Sequence, residues 1–334
     1  MARSETCHRT SRPVHVEKTL KTEITRPEAG VNYAVITPQN ADQALNSVDK
    51  QDVIAAFREH GAILFRGFPL DHESFHALAA AYCSNFIVNR ARGRENVSPD
   101  RRIQTVNLGH EAFPLHPEMS SMPTRPDIAW FACKSPPLVG GETLLCDGIA
   151  VVAGLSEQTR ELLLERSFRY RTRMTPEDCE LWLGSKHPEA TALAGLDEHC
   201  PLDITIEDGV FYSTYTTPAL HKPMFSDQYA FGSFLLFARN MQGWKDFPTF
   251  EDGSEVPAAV CDELKQVSDT LSVAHQWQAG DVLMVDNTRF LHGRNFVLNS
   301  KQRVIWTQFG YAAFIPGLDT LLATQPWRRT TPKH

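Results

Sequence analysis

The chain lacks several things that would have assigned it quickly. No CxxC pair occurs among its seven cysteines, and the odd number argues against a disulfide framework. No apolar run approaches the roughly 18 residues that a membrane-spanning helix needs. The segment from Met1 to Pro13 is polar and basic, without the apolar stretch of a secretion signal. These absences lead us to expect a cytoplasmic protein with no membrane partner. No basic block is present, and 33 Lys and Arg against 40 Asp and Glu give a net charge of −7, which disfavours a nucleic-acid partner. Neither a G-x-G-x-x-G nor a P-loop follows any apolar segment, so a nucleotide-binding doubly wound sheet is disfavoured too.

What is present is an ordinary globular composition, 42% hydrophobic and 22% charged over 334 residues, ample for a real core. Residues 1–28 carry little apolar periodicity and are expected to form a loosely ordered extension. From there to 334 we expect one domain with insertions near 174–201 and 238–257. Asp49 or Asp52 is placed to cap a helix that ends at Gly61, ahead of the short buried strand Ala62-Ile63-Leu64-Phe65. A second helix is expected near 72–82, and a loop over 89–102, whose arginines read as solvated. Strand-like segments recur at 128–133, 144–146, 168–173, 202–206, 210–216, 231–237, 275–278, 281–286 and 303–311, with helices near 156–166 and 258–271. Many short strands with helices clustered in a few places predict a mainly β fold with flanking helices, built on a jelly-roll (double-stranded β-helix) core.

His116-Pro117-Glu118 is the first chemical candidate. In extended chain, residues i and i+2 point to the same side with Cα atoms about 6.6 Å apart, so both can converge on one metal ion. The pattern is cheap alone: 13 His and 40 acidic residues in 334 positions predict about 1.6 His-x-Asp/Glu by chance, and three occur. Context separates His116-Pro117-Glu118 from His15-Val16-Glu17 and His187-Pro188-Glu189. It is followed by Gly140-Gly141-Glu142-Thr143, by Gly280-Asp281-Val282-Leu283-Met284-Val285-Asp286-Asn287, by His292-Gly293-Arg294 and by Arg303.

This ordered set resembles the taurine dioxygenase and clavaminate synthase-like family of non-haem Fe(II)- and 2-oxoglutarate-dependent oxygenases, over about residues 50–311. The resemblance implies that His116, Glu118 and His292 form a facial triad for iron, a ligand set that leaves positions open for a bidentate oxo acid and O2. It implies that Arg303, eleven residues after His292, takes the distal carboxylate of 2-oxoglutarate through its planar fork, with Thr143 donating to the same carboxylate. It also implies decarboxylation of 2-oxoglutarate to succinate and CO2, coupled to hydroxylation, desaturation, epoxidation or cyclisation at an unactivated C–H bond.

Arg294 is a candidate second support for the metal site, and Gln104, Asn107, Ser120 and Ser121 are candidate substrate contacts. Glu118 disfavours halogenation. The stretch Ile305-Trp306-Thr307-Gln308 lacks the second arginine of sulfonate-binding relatives, which disfavours a sulfonate substrate, and Glu118 with His292-Gly293-Arg294 resembles the clavaminate synthase-like branch, which implies a small, polar, amino-acid-derived substrate in natural-product biosynthesis. Two other readings of these residues stay open: a jelly-roll metal hydrolase or isomerase, in which the metal lowers the pKa of a bound water, and a non-catalytic small-molecule binding protein.

Overall fold

The computed structural model of the chain describes residues 23–27, 30–91, 93–100, 102–106 and 109–329. Eight strands make the centre. In chain order Gln104–Thr105, Ile128–Ser135, Val282–Asp286 and Val304–Ala312 belong to one sheet, and Phe113–His116, Thr143–Asp147, Val273–His275 and Phe290–Arg294 to a second. All pairings among them are antiparallel, and the chain crosses repeatedly from sheet to sheet. This is the expected jelly roll. Cys83–Ile87 extends the first sheet beyond Val304–Ala312, while Ala62–Phe65, Ala34–Thr37 and Glu23–Thr25 extend it at the other edge. The loose extension expected over 1–28 is therefore ordered at Glu23–Thr25, which pairs with Ala34–Thr37. A strand of three residues is too short to leave a period in the sequence. The rest of that expected extension lies outside the described residues.

The first sheet is buried on both faces. Its outward residues, including Ile63, Phe65, Trp130, Ala132, Val282, Met284 and Trp306, meet helices Lys50–His60 and His72–Tyr82 through Val53, Phe57, Phe75, Leu78 and Tyr82. Its inward residues, including Leu64, Phe131, Cys133, Leu283, Ile305 and Phe309, pack on Leu145 and Phe290 of the second sheet. Two-sided burial explains the unbroken apolar run at 128–133, which alternation would not predict. Full burial of each large side chain contributes about 1.5–3 kcal/mol. Asp49 is the cap of the first helix, accepting from the Gln51 and Asp52 amides.

Between the fourth and fifth central strands runs one long excursion, residues 148–272, larger than the two insertions expected. It holds helices Gly148–Gly154, Glu157–Glu165, Pro176–Leu183, Leu235–Asn240 and Ala258–Leu271, together with a small sheet of Leu202–Glu207, Val210–Pro218, Ser167–Arg173 and Thr249–Phe250. The expected strand at 231–237 is corrected here: Ala230–Phe231 is a two-residue strand and Leu235–Asn240 a helix. Short apolar runs do not distinguish the two by pattern. The fifth central strand, expected at 275–278, lies at Val273–His275.

Candidate active site

The site begins with sheet register. His116, the last residue of Phe113–His116, lies directly opposite His292 on Phe290–Arg294, and the register shifts between His292 and Arg294. Cross-strand neighbours stand close enough for their side chains to meet; here the imidazole centroids are 4.7 Å apart. Gly293 lets the strands approach, because a Cβ there would lie 2.7 Å from the Phe113 carbonyl oxygen. Phe237 packs edge-on against His116 at 4.8 Å and Phe131 against His292 at 5.0 Å, so both rings are held in place.

Glu118 stands two residues past the strand end. Its amide donates to Asn287 Oδ1 at 2.7 Å, and Asn287 Nδ2 donates back to its carbonyl at 3.0 Å and to that of Pro126 at 2.9 Å. Met119, in the left-handed region at φ 52°, then turns the chain away. One ligand atom from each of His116, Glu118 and His292 lies within 4.8 Å of the other two.

The protonation states suit a cation. Burial, then the neighbouring His292, lowers the His116 pKa to about 4, so its ring is neutral near pH 7. The Nδ1 of His116 lies 2.8 Å from the Pro114 carbonyl oxygen, which fixes the proton there and leaves Nε2 as a lone-pair donor. Burial would raise the Glu118 pKa, but the Arg94 guanidinium and the two histidines outweigh it and hold the carboxyl at about 2. Two imidazoles and one carboxylate converging on one side, two nitrogens and one oxygen with no thiolate, match a divalent iron centre with open positions.

Arg303 lies just before Val304–Ala312 and is buried. Its Nε donates to the Gly141 carbonyl at 2.8 Å and its Nη2 reaches Thr143 Oγ1 at 3.5 Å. Trp277 Nε1 donates to the same hydroxyl at 3.1 Å. Burial, then the charge of Arg294, lowers the Arg303 pKa to about 9, which still leaves it cationic at neutral pH. Among the described residues no carboxylate pairs with it. Gly141, at φ 73°, is required here, since a Cβ would sit 3.0 Å from Arg303 Cδ.

Arg294 points into the same region. Its Nη2 donates to the Glu111 carbonyl at 2.7 Å, and its guanidinium lies 4.7 Å from the Phe113 ring centroid. It thus ties down the 109–111 segment beside Arg303. His116, Glu118, His292, Thr143, Arg294 and Arg303 open onto one cavity of about 480 Å³, walled mainly by apolar and aromatic side chains, including Phe131, Phe237, Leu181, Tyr311 and Trp327.

Of the expected substrate contacts, Ser121 lines this cavity. Gln104 and Ser120 do not: Gln104 is buried on its strand with its amide 3.4 Å from Asn96 Oδ1, and Ser120 Oγ donates to the Pro117 carbonyl at 3.1 Å. Both serve local structure. Asn107 lies outside the described residues.

Residues 89–91 and 93–100 form the expected loop and Arg90 is exposed, but Arg94 is buried rather than solvated. Reciprocal bonds join Glu95 to Thr105, and Val97 N donates to the Ile103 carbonyl, folding the segment onto the first central strand. Asn89 Nδ2 then donates to Glu118 Oε1, and Arg94 Nη2 lies 3.3 Å from Glu118 Oε2. Neither residue carried a periodic signal, because tertiary contact alone buries them.

Comparisons with known proteins identify the family and the fold. The model of the taurine catabolism dioxygenase TauD, TfdA family matches residues 34–307. A clavaminate synthase-like protein of Arabidopsis thaliana is 25% identical over 293 residues, covering 81% of this chain and 88% of the relative. The 3-((Z)-2-isocyanoethenyl)-1H-indole synthase of Fischerella ambigua is 25% identical over 256 residues, covering 73% and 80%. Among solved structures, PvcB of Pseudomonas aeruginosa superposes with a TM-score of 0.56 at 15% identity, covering 91% of this chain and 95% of that one, a likeness of fold. Among the described residues no helix is long and apolar enough to cross a membrane. With the family model spanning more than half of the sequence, the chain belongs to the TauD/TfdA family of iron- and 2-oxoglutarate-dependent dioxygenases.

Proposed function

We propose that this dioxygenase oxidises an unactivated C–H bond of a small, amino-acid-derived molecule, with His116, Glu118 and His292 holding the iron and with Arg303 and Thr143 receiving the distal carboxylate of 2-oxoglutarate. The observation that carries the reading is the convergence of the three ligating side chains on the same cavity as a buried, carboxylate-free arginine. When bound, iron and 2-oxoglutarate supply the oxidising chemistry, in which O2 is consumed and succinate and CO2 are released. The chain's own contribution is position and dryness. Asn287 sets the backbone of Glu118, Pro114 sets the His116 tautomer, and Phe131 and Phe237 hold the imidazole planes. Arg303 offers a planar fork to a carboxylate that would otherwise be costly to bury.

The names of two relatives support the substrate class. One makes an isocyanoethenyl indole, and a PvcB structure is described as an oxygenase from an isonitrile synthetic pathway. Both concern small nitrogenous molecules, and the aromatic cavity wall suits an apolar body of that size. Succinate release should require Fe(II), O2 and 2-oxoglutarate together and should rise with the correct substrate. Turnover of any substrate without O2 and 2-oxoglutarate would refute this reading and favour hydrolytic or isomerase chemistry.

A further inference from the structure

Arg94 carries more charge-binding capacity than its one partner uses. Its side chain is 7% exposed, and only Nη2 contacts an acceptor, at 3.3 and 3.4 Å from the two Glu118 oxygens. Its Nε and Nη1 are buried without a hydrogen-bond partner among the described residues. A buried guanidinium with two unmatched nitrogens is costly, and natural sites match such groups with ligand, water or protein acceptors. The Phe309 ring packs against it, with the centroid 5.4 Å from Cζ. Arg94 also lines the cavity, with Ile87, Val88, Leu181 and Tyr311 as apolar neighbours along the wall.

The charge balance of the cavity points the same way. Arg90, Arg94, Arg294 and Arg303 line it, against the carboxylates of Glu118 and Asp178. A divalent iron adds positive charge, and 2-oxoglutarate answers it with two carboxylates. The occupied cavity is left positive in a setting of low dielectric, where uncompensated charge is expensive. One further carboxylate on the substrate would reduce that excess.

We propose that Arg94 anchors a carboxylate of the substrate, so that the enzyme acts on a monoanionic acid whose apolar body lies along the wall between Arg94 and the histidines. This rests on the dioxygenase reading above and adds to it the substrate's charge and the residue that selects it. Arg94 keeps one edge for Glu118 and offers the other to the ligand, which ties substrate arrival to the metal-binding carboxylate.

The test uses the full chain loaded anaerobically with Fe(II) and 2-oxoglutarate, and titrates 3-phenylpropanoate, 3-phenylpropanamide and 2-phenylethanesulfonate by calorimetry. The visible charge-transfer band of the loaded protein is recorded first; its absence in the wild type defeats the cofactor reading, independently of the titrations. The wild type should bind the carboxylate at least about tenfold more tightly than the amide, because only the acid forms a charge-assisted pair. Arg94→Gln should cut that preference to about twofold, and Arg94→Lys should retain part of it. Equal binding of acid and amide, binding of neither at millimolar concentration, or tighter binding of the sulfonate would overturn the proposal in the wild type alone, whatever the variants do. An undiminished preference in Arg94→Gln would reduce Arg94 to a positioning residue for Glu118.

Discussion

Around Arg303 the cavity wall is built at strand ends, with Thr143 opening Thr143–Asp147, Gly141 just ahead of it, Arg303 just before Val304–Ala312, and Trp277 donating to the Thr143 hydroxyl. Another part of the cavity wall comes from three unrelated stretches: the segment after Ile87, which carries Arg94, the Pro176–Leu183 helix within the long excursion, and the C-terminal turn Pro326–Arg329. That second end is pinned by side chains. Trp327 packs on Trp182 at 5.4 Å and donates to the Pro123 carbonyl, and Arg328 pairs with Asp127 through two bonds of 2.7 and 2.9 Å. The difference separates a shared chemistry from a private specificity. On the proposed assignment, a frame of paired strands would hold the cosubstrate end to one geometry, whereas loops and a helix can vary to suit different substrates without disturbing it.

The contrast between the two ends can be broken from either side. His292→Ala should have the largest effect, lowering succinate release by about 100-fold or more through loss of a ligand, with iron content by metal analysis falling in parallel. Arg303→Ala should come next, raising the KM for 2-oxoglutarate by about 100-fold, the cost of removing a buried charge-assisted partner; steady-state kinetics at saturating iron would read it, and Arg303→Lys should recover part. Asn287→Ala removes one acceptor and two donor bonds that fix Glu118 and Pro126. It should weaken iron binding about 10-fold or more and cost about 2–3 kcal/mol in urea unfolding. Leu181→Ala should raise the KM for substrate several-fold while leaving that for 2-oxoglutarate within about twofold; equal effects on both would erase the distinction between the two ends.

The smallest effect is on pH dependence. Asp286 is buried at the end of Val282–Asp286, and burial, with nearby Asp127, raises its carboxyl to about 6 despite bonds from Thr288. The folded pKa then exceeds the unfolded value of about 3.9, so the native state binds this proton more tightly and stability rises as pH falls from above 6 toward 4. Asp286→Asn should therefore stabilise the protein at pH 8, by about 2 kcal/mol at most, and have little effect at pH 4. Urea unfolding at both pH values checks the sign.

The same contrast explains what was legible in the sequence. His116-Pro117-Glu118, His292 and Arg303 stood out because strand geometry ties their function to fixed local spacing, and Gly141 and Gly293 sit where side chains would block approach. The jelly roll was legible from short strands and sparse helices. Arg94 and Asn89 were not, because a polar segment is buried here by a contact with Glu118, 24 and 29 residues away. Nor was Phe237, on a six-residue helix whose apolar run reads equally as a strand.

Everything above turns on one site holding iron and 2-oxoglutarate together. Metal-free protein should be given Fe(II) and then 2-oxoglutarate under anaerobic conditions, and the visible charge-transfer band of the chelated complex followed in the wild type, His292→Ala and Arg303→Ala. The expected result is a band in the wild type, none in His292→Ala, and one in Arg303→Ala that appears only at raised 2-oxoglutarate. A well-folded wild type that shows no band, or a His292→Ala variant that keeps it, would contradict the assignment.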